Sequence, residues 1–316
     1  MPLPTDPVIL QGCQDLYSVI DSIPEYPADE REGIRPVHAK GILFNGIFTA
    51  TPKAAELSTA WHLQGDRVPI IVRFSTGSPD EEVEDTDDSS KPMGFAIRFM
   101  EEWRPVRRHT DIITHSVDGF PASTPEELHG FFNAKRDGTL EQYMRDDPTA
   151  AAFAQIPKPT PRSFTTQRYY GVNAFKFVGP EPEKKERYFK YRVVPQRGED
   201  FLSEDENKNQ EPNFLEREIT RYLELSSVSF TLVAQMAEEG DVTNDCTVNW
   251  GEDREEIELG TITIEAPAAR QYDEQKYMIF DPIPRIPGIE PSDDVLLQYR
   301  SGVYLLSGRD RRDAQA

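Results

Sequence analysis

Arg35-Pro36-Val37-His38-Ala39-Lys40-Gly41 leads directly into the apolar run Ile42-Leu43-Phe44-Asn45-Gly46-Ile47-Phe48. The run reads as a strand over 41–50, because branched and aromatic side chains suit a pleated surface. Thr51-Pro52 ends it, since proline cannot continue a ladder. A histidine at the mouth of a strand is a candidate acid–base group. Imidazole is the one side chain whose unperturbed pKa, about 6.5, lies near neutrality. On its own, His38 also reads as a structural or exposed histidine.

The pattern around this strand extends the reading. Over 68–75, Ile70, Val72 and Phe74 share one face, and Ile71, Arg73 and Ser75 share the other. An arginine on such a strand needs an anionic partner if it is buried. Phe95, Ile97 and Phe99 alternate in the same way, as do Val228, Phe230, Leu232, Ala234 and Met236. Further strands are expected over 110–117, 172–178 and 187–194, with 257–265 the last. The acidic run Asp80 to Asp88 reads as an exposed loop interrupting a hairpin. Helices are expected over 54–63, after Thr124 (a cap, with Pro125 in the first turn and Glu127 reaching back), and over 212–223. A last helix opens at Ser292-Asp293-Asp294 and runs past Tyr304, with its acids at the end the helix dipole prefers. Strands outnumber helices and no βαβ alternation appears, so the pattern supports an α+β fold.

Composition narrows the function classes. Lys and Arg number 35 against 56 Asp and Glu, a net charge of −21 across 316 residues. That argues against a nucleic-acid or anionic-membrane partner, and no window approaches the roughly 18 apolar residues of a membrane span. Two cysteines, Cys13 and Cys246, make no disulfide framework and suit a reducing, cytoplasmic setting. Residues 1–30 read as an N-terminal arm whose Leu16, Val19, Ile20 and Ile23 form one apolar helical face. It would pack on the core or on a partner subunit of a homo-oligomer. Residues 31–316 read as one domain.

Ordered blocks of sequence carry a family signal. RPVHAKG at 35–41, VRFST at 72–76 and GFAIRF at 94–99 resemble the opening segments of haem catalases. FDP at 280–282, PGIEPSDD at 287–294 and Arg300-Ser301-Gly302-Val303-Tyr304 resemble that family's proximal segment. The resemblance spans roughly 30 to 311. It is strongest to the short catalase-related peroxidases, which consist of the catalase core alone.

The resemblance implies an eight-stranded antiparallel β-barrel with flanking helices and a b-type haem. It implies Tyr304 as the axial iron ligand, with Arg300 four residues earlier on the same helix face. A guanidinium beside the phenol favours the charged form that binds iron. His38 matches the distal acid–base histidine, which helps split peroxide and leave a ferryl species. Ser75 matches the serine that orients it, and Val37 the apolar neighbour of true catalases. Arg35 and Arg73 match the arginines that hold the haem propionates. Arg309 is a third candidate, with Arg311 the alternative. Phe120 is placed beside the haem.

One segment departs from the pattern. Where catalases carry a distal asparagine, Thr114-His115-Ser116-Val117-Asp118-Gly119-Phe120 has none. Ser116 aligns best, with His115 and Asp118 as neighbours. The expected activity is therefore peroxidase rather than efficient catalase chemistry. It would act on hydrogen peroxide or a small organic hydroperoxide, with a reducing donor that the sequence does not identify. The alternatives are a haem enzyme that rearranges fatty-acid hydroperoxides, like the allene oxide synthases, and a non-catalytic haem-binding barrel.

Overall fold

The computed structural model describes residues 3–23, 33–65, 67–102, 108–182, 185–269 and 271–314. The expected boundary between arm and domain lies outside the described residues. Ten strands form one antiparallel sheet: β1 (Gly41–Ala50), β2 (Arg67–Ser75), β3 (Gly94–Glu102), β4 (Arg108–His115), β5 (Tyr169–Tyr170), β6 (Phe175–Val178), β7 (Glu186–Pro195), β8 (Val228–Met236), β9 (Glu256–Pro267) and β10 (Ile289–Pro291). One edge of β7 pairs with β5 and β6 in turn, and its other edge pairs with β8. The ring β1-β2-β3-β4-β5-β7-β8-β9 therefore closes on itself, with β6 and β10 as an extension. The ring is thinnest between β4 and β5, which join through the single pair His115 and Tyr170.

Period-two alternation decides what fills the barrel. Ile70, Val72 and Phe74 of β2 point inward and meet Phe95, Ile97 and Phe99 of β3 and Phe230, Leu232 and Ala234 of β8. Phe74 and Phe95 pack edge-on at 4.8 Å between ring centres. The opposite parity of β2, β3 and β4 faces outward, under helices. Nine α-helices are described: α1 (Pro7–Asp21), α2 (Pro52–Leu57), α3 (Pro125–Arg136), α4 (Leu140–Asp146), α5 (Pro148–Gln155), α6 (Glu204–Lys208), α7 (Phe214–Leu223), α8 (Gln271–Tyr277) and α9 (Val295–Asp313). Among these, α1, α3 and α9 pack on one another. The predicted apolar face of α1 is buried: Leu16, Val19, Ile20 and the following Ile23 are each nearly inaccessible. Asp6 caps α1 by accepting the Val8 amide at 2.8 Å.

Four sequence expectations are corrected. The helix over 54–63 breaks after Leu57, because the Ser58 hydroxyl donates to the Gly288 carbonyl at 2.7 Å and the Thr59 amide donates to that of Val178. The acidic loop is not wholly exposed. Asp85 is buried, pairs with Lys40 at 2.6 Å and accepts the Leu215 amide at 2.9 Å. Glu127 reaches back to Ser123, while Thr124 caps α3 as expected. The strand β9 is not the last, since β10 forms within PGIEPSDD.

Candidate active site

The outward parity of the barrel supplies one wall of a large cavity. Ser75, Gly94 and His115 lie side by side on β2, β3 and β4, and the next row is Arg73, Ala96 and Ile113. The facing wall comes from α9, with α1 and α3 contributing apolar side chains such as Leu16 and Phe132.

His38 sits at the barrel wall with φ +56°, in the left-handed region. A non-glycine residue there costs about 1–2 kcal/mol, so something must hold it. The Arg73 Nη2 donates to the His38 carbonyl at 2.9 Å and to the Ala39 carbonyl at 3.0 Å. The Ala39 amide in turn donates to the Ser78 carbonyl at 3.0 Å. This backbone turns the ring so that Nδ1 lies 3.1 Å from the Ser75 Oγ. Gly94 makes room for the pair: a β-carbon there would stand 2.5 Å from that Oγ and 3.0 Å from Nδ1. Burial, and then the charge of Arg73, lower the His38 pKa to about 4, against a smaller opposing effect of the Thr76 backbone. The ring is therefore a neutral base at pH 7.

On the helical wall, Tyr304 Oη accepts from the Arg300 Nε at 3.4 Å and Nη2 at 3.2 Å. The Arg300 Nη1 donates to the Asn173 Oδ1, and the Asn173 Nδ2 donates to Asp294 at 2.7 Å. Asp294 also caps α9 by accepting the Leu296 amide at 2.9 Å. One carboxylate thus starts the helix and, through Asn173, fixes the guanidinium four residues before the tyrosine. Burial opposes the charge on Arg300, but Tyr304 and Asp294 outweigh it, and its pKa stands above the usual value. The Phe120 ring lies 5.5 Å from the Arg300 guanidinium, and Val37 and Phe120 both line the cavity.

A third group closes one end. Arg35, Arg73 and Arg311 converge on the C-terminal end of α8. Arg35 donates to the Gln275 and Met278 carbonyls at 2.5 and 2.8 Å. Arg73 donates to the Gln275 side chain at 3.1 Å. Arg311 donates to the backbone carbonyls of Gln275, Lys276 and Met278. Among the described residues none of the three has an ion pair, and the Arg311 Nε has no partner. Arg73 and Arg311 are each only 4% exposed. Burial and then Arg311 lower the pKa of Arg73 to about 9, burial and then Arg73 and Arg311 depress that of Arg35, and Glu81 opposes both shifts. Burial and then Arg312 lower Arg311 to about 10. Three crowded guanidiniums around a cavity call for an anion.

Two expected positions are corrected. Arg309 is exposed and away from the cavity, and Arg311 takes the place proposed for it. Ser116 does not line the cavity; its hydroxyl accepts the Met93 amide at 3.0 Å. Its neighbour His115 is the residue that faces inward to the site, buried, with no partner for either ring nitrogen among the described residues. Asn173 and Gln275 were not singled out from sequence, and Asp294 was read only as an acid at the start of the last helix, where it does cap α9. No cluster able to hold a metal ion through His, Cys, Asp or Glu occurs among the described residues, and no described helix is long and apolar enough to cross a membrane. Both cysteines are free and buried.

Comparison with known proteins agrees with this arrangement. The family model described as Catalase matches residues 12–116 and 142–315. A catalase-related peroxidase of Mycolicibacterium paratuberculosis is 32% identical over 296 residues, covering 90% of this chain and 92% of that protein. One from Synechococcus elongatus is 29% identical over 288 residues, covering 87% and 82%. The crystal structure of a fungal catalase superposes with a TM-score of 0.78 at 20% identity, over 88% of this chain. Catalase A from Saccharomyces cerevisiae gives a TM-score of 0.78 at 20% identity, also over 88%. This chain spans about three fifths of those two catalase chains, 59% and 61%, and they speak to the fold alone. With the family model matching most of its length and a relative above 30% identity along nearly all of it, the chain belongs to the catalase family.

Proposed function

We propose that this chain is a haem-dependent peroxidase, using haem b to reduce hydrogen peroxide or small organic hydroperoxides, with weak catalase activity. One observation carries the reading. A histidine tied to Ser75 on the barrel wall and a tyrosine held by a buried arginine on the helical wall line the same cavity. The residues fit a haem. Tyr304 offers an oxygen ligand with the Arg300 guanidinium donating to it. Arg73 and Arg311 are buried and Arg35 is half-buried, and together they offer donors to a ligand's carboxylates, the Arg311 Nε being without a partner among the described residues. Haem iron, when bound, supplies the electrons that split the peroxide bond.

The protein's part is proton handling and placement. For His38 to act as a base through Nε2, Nδ1 must carry the proton and donate it to the Ser75 Oγ. The Ser75 contact thus sets the tautomer as well as the ring orientation. Nε2 takes a proton from the peroxide and returns it to the departing oxygen, which leaves as water or an alcohol. A pKa near 4 keeps Nε2 free to accept at neutral pH. On the opposite wall, Arg300 fixes the position of the Tyr304 oxygen through its Nε and Nη2 donors.

Two expected results follow from this arrangement. Arg311→Ala weakens haem retention, each lost charge-assisted bond costing about 1.5–3 kcal/mol. Arg309→Ala retains haem like the wild type. Haem transfer to an apo-globin acceptor measures both, and equal retention in the two variants contradicts the assignment. The peroxidase preference rests on the cavity lining, which among the described residues contains no asparagine or glutamine. Without a carboxamide, the only further distal donor among the described residues for a second peroxide is the unanchored His115 ring, while a one-electron donor needs none. Oxygen release and dye oxidation measured at matched peroxide test this. Dye oxidation is expected to dominate, and oxygen release at full catalase-like rates would refute it.

A further inference from the structure

Gly94 separates two imidazoles. On one side, a β-carbon on Gly94 would run into the Ser75 Oγ and the His38 Nδ1. On the other it pairs directly with His115 on β4. The Ser75 and His115 backbones stand two strand spacings apart, roughly 10 Å, and the residue between them carries no side chain. A slot is left in the cavity wall with His38 and Ser75 at one edge and His115 at the other.

His115 is anomalous as a structural residue. It is 9% exposed, and neither ring nitrogen has a hydrogen-bond partner among the described residues. Buried polar groups of native proteins are nearly always paired. A neutral imidazole carries one N–H donor and one bare acceptor, so leaving both unmet is costly unless something else enters the cavity. The nearest described ring is Phe120, 6.4 Å away between centres, which offers no hydrogen bond. The hydroxyl next along the chain, Ser116, is occupied by the Met93 amide.

We propose that His115 is a second ligand-binding group of the distal cavity, which together with His38 forms a two-imidazole site for small, neutral, protic ligands. Hydrogen peroxide belongs to this class, as do hydrogen cyanide and hydrazoic acid. Such a ligand gives its proton to His38 Nε2 and accepts a hydrogen bond from the N–H of His115. A neutral imidazole has one donor and one acceptor nitrogen, so His115 can also present its bare nitrogen to a ligand proton and the site accepts a ligand in either orientation. The assignment rests on the haem peroxidase reading and adds the residue that sets which ligands bind.

The test compares wild type, His115→Gln and His115→Phe, each loaded with haem. Cyanide is titrated against the Soret band, and one equivalent of hydrogen peroxide is mixed by stopped flow. Haem content and thermal unfolding of each protein are measured alongside. His115→Phe is expected to keep its haem yet bind cyanide about 5- to 10-fold more weakly, the loss of one hydrogen bond, and to react with peroxide roughly tenfold more slowly. His115→Gln, which restores a donor, is expected to return to within about threefold of wild type. Unchanged cyanide binding and peroxide rate in His115→Phe overturn the proposal. So does a His115→Gln variant as impaired as His115→Phe, because shape rather than hydrogen bonding would then explain the loss. Should the phenylalanine variant not hold haem, His115→Leu replaces it under the same criteria. A wild type that binds no haem refutes the peroxidase reading itself, and this proposal with it.

Discussion

His38→Ala slows the first reaction with peroxide by about 10²–10⁴-fold, the range general acid–base groups supply, while haem stays bound. Of the two imidazoles that line the cavity, His38 is the one whose Nδ1 meets a partner, and neither ring nitrogen of His115 has one among the described residues. The pH dependence gives a second check. Protonation of His38 removes the base, and burial together with Arg73 puts that event near pH 4. The wild-type rate is therefore level from neutrality to about pH 5 and falls as pH drops through 4. His38→Ala lacks that acid limb. Stopped-flow absorbance between pH 4 and 8 measures both, and an alanine variant as fast as wild type removes His38 from the chemistry.

The second large effect is at the helical wall. Tyr304→Phe loses the iron ligand and with it most of the bound haem, whatever the state of the propionate contacts. The buried Arg300 is then left without its acceptor on that side, although Asn173 still holds the Nη1. Leaving a buried cation short of a partner costs about 1–3 kcal/mol, so the variant is also expected to unfold at lower temperature. Haem content by pyridine haemochrome and a thermal melt check the two outcomes. Full haem occupancy with an unaltered spectrum in this variant excludes Tyr304 as ligand.

What could be read in advance followed from periodicity. Arg73 and Ser75 sit on the parity opposite Val72 and Phe74, and that parity is the cavity wall. The same rule would have corrected the distal segment. Asp111, Ile113 and His115 share a face, so the residue aligned with the wall is His115 rather than Ser116. Helix rotation would have corrected the third arginine. At 100° per residue, Arg309 is turned about 140° from Tyr304, whereas Arg311 is turned only about 20°. The family match drew attention to residue types near the right place and away from these rotations.

Other features were beyond local pattern. Asn173 bridges Arg300 and Asp294 across more than a hundred residues of chain, and no spacing links it to either. The break after Leu57 depends on Gly288, which reaches Ser58 only once β10 has docked beside β6. Asp85 reads as one acid among many until Lys40 and the start of α7 enclose it. Tertiary contacts override local propensity in each case.

The central claim is that this cavity holds haem iron through Tyr304. The most direct test is the absorption spectrum of the purified protein after haem reconstitution. The account predicts one haem per chain, with a Soret band and the charge-transfer bands of a ferric phenolate complex. Failure to take up haem, or a spectrum typical of histidine or thiolate ligation, would contradict it.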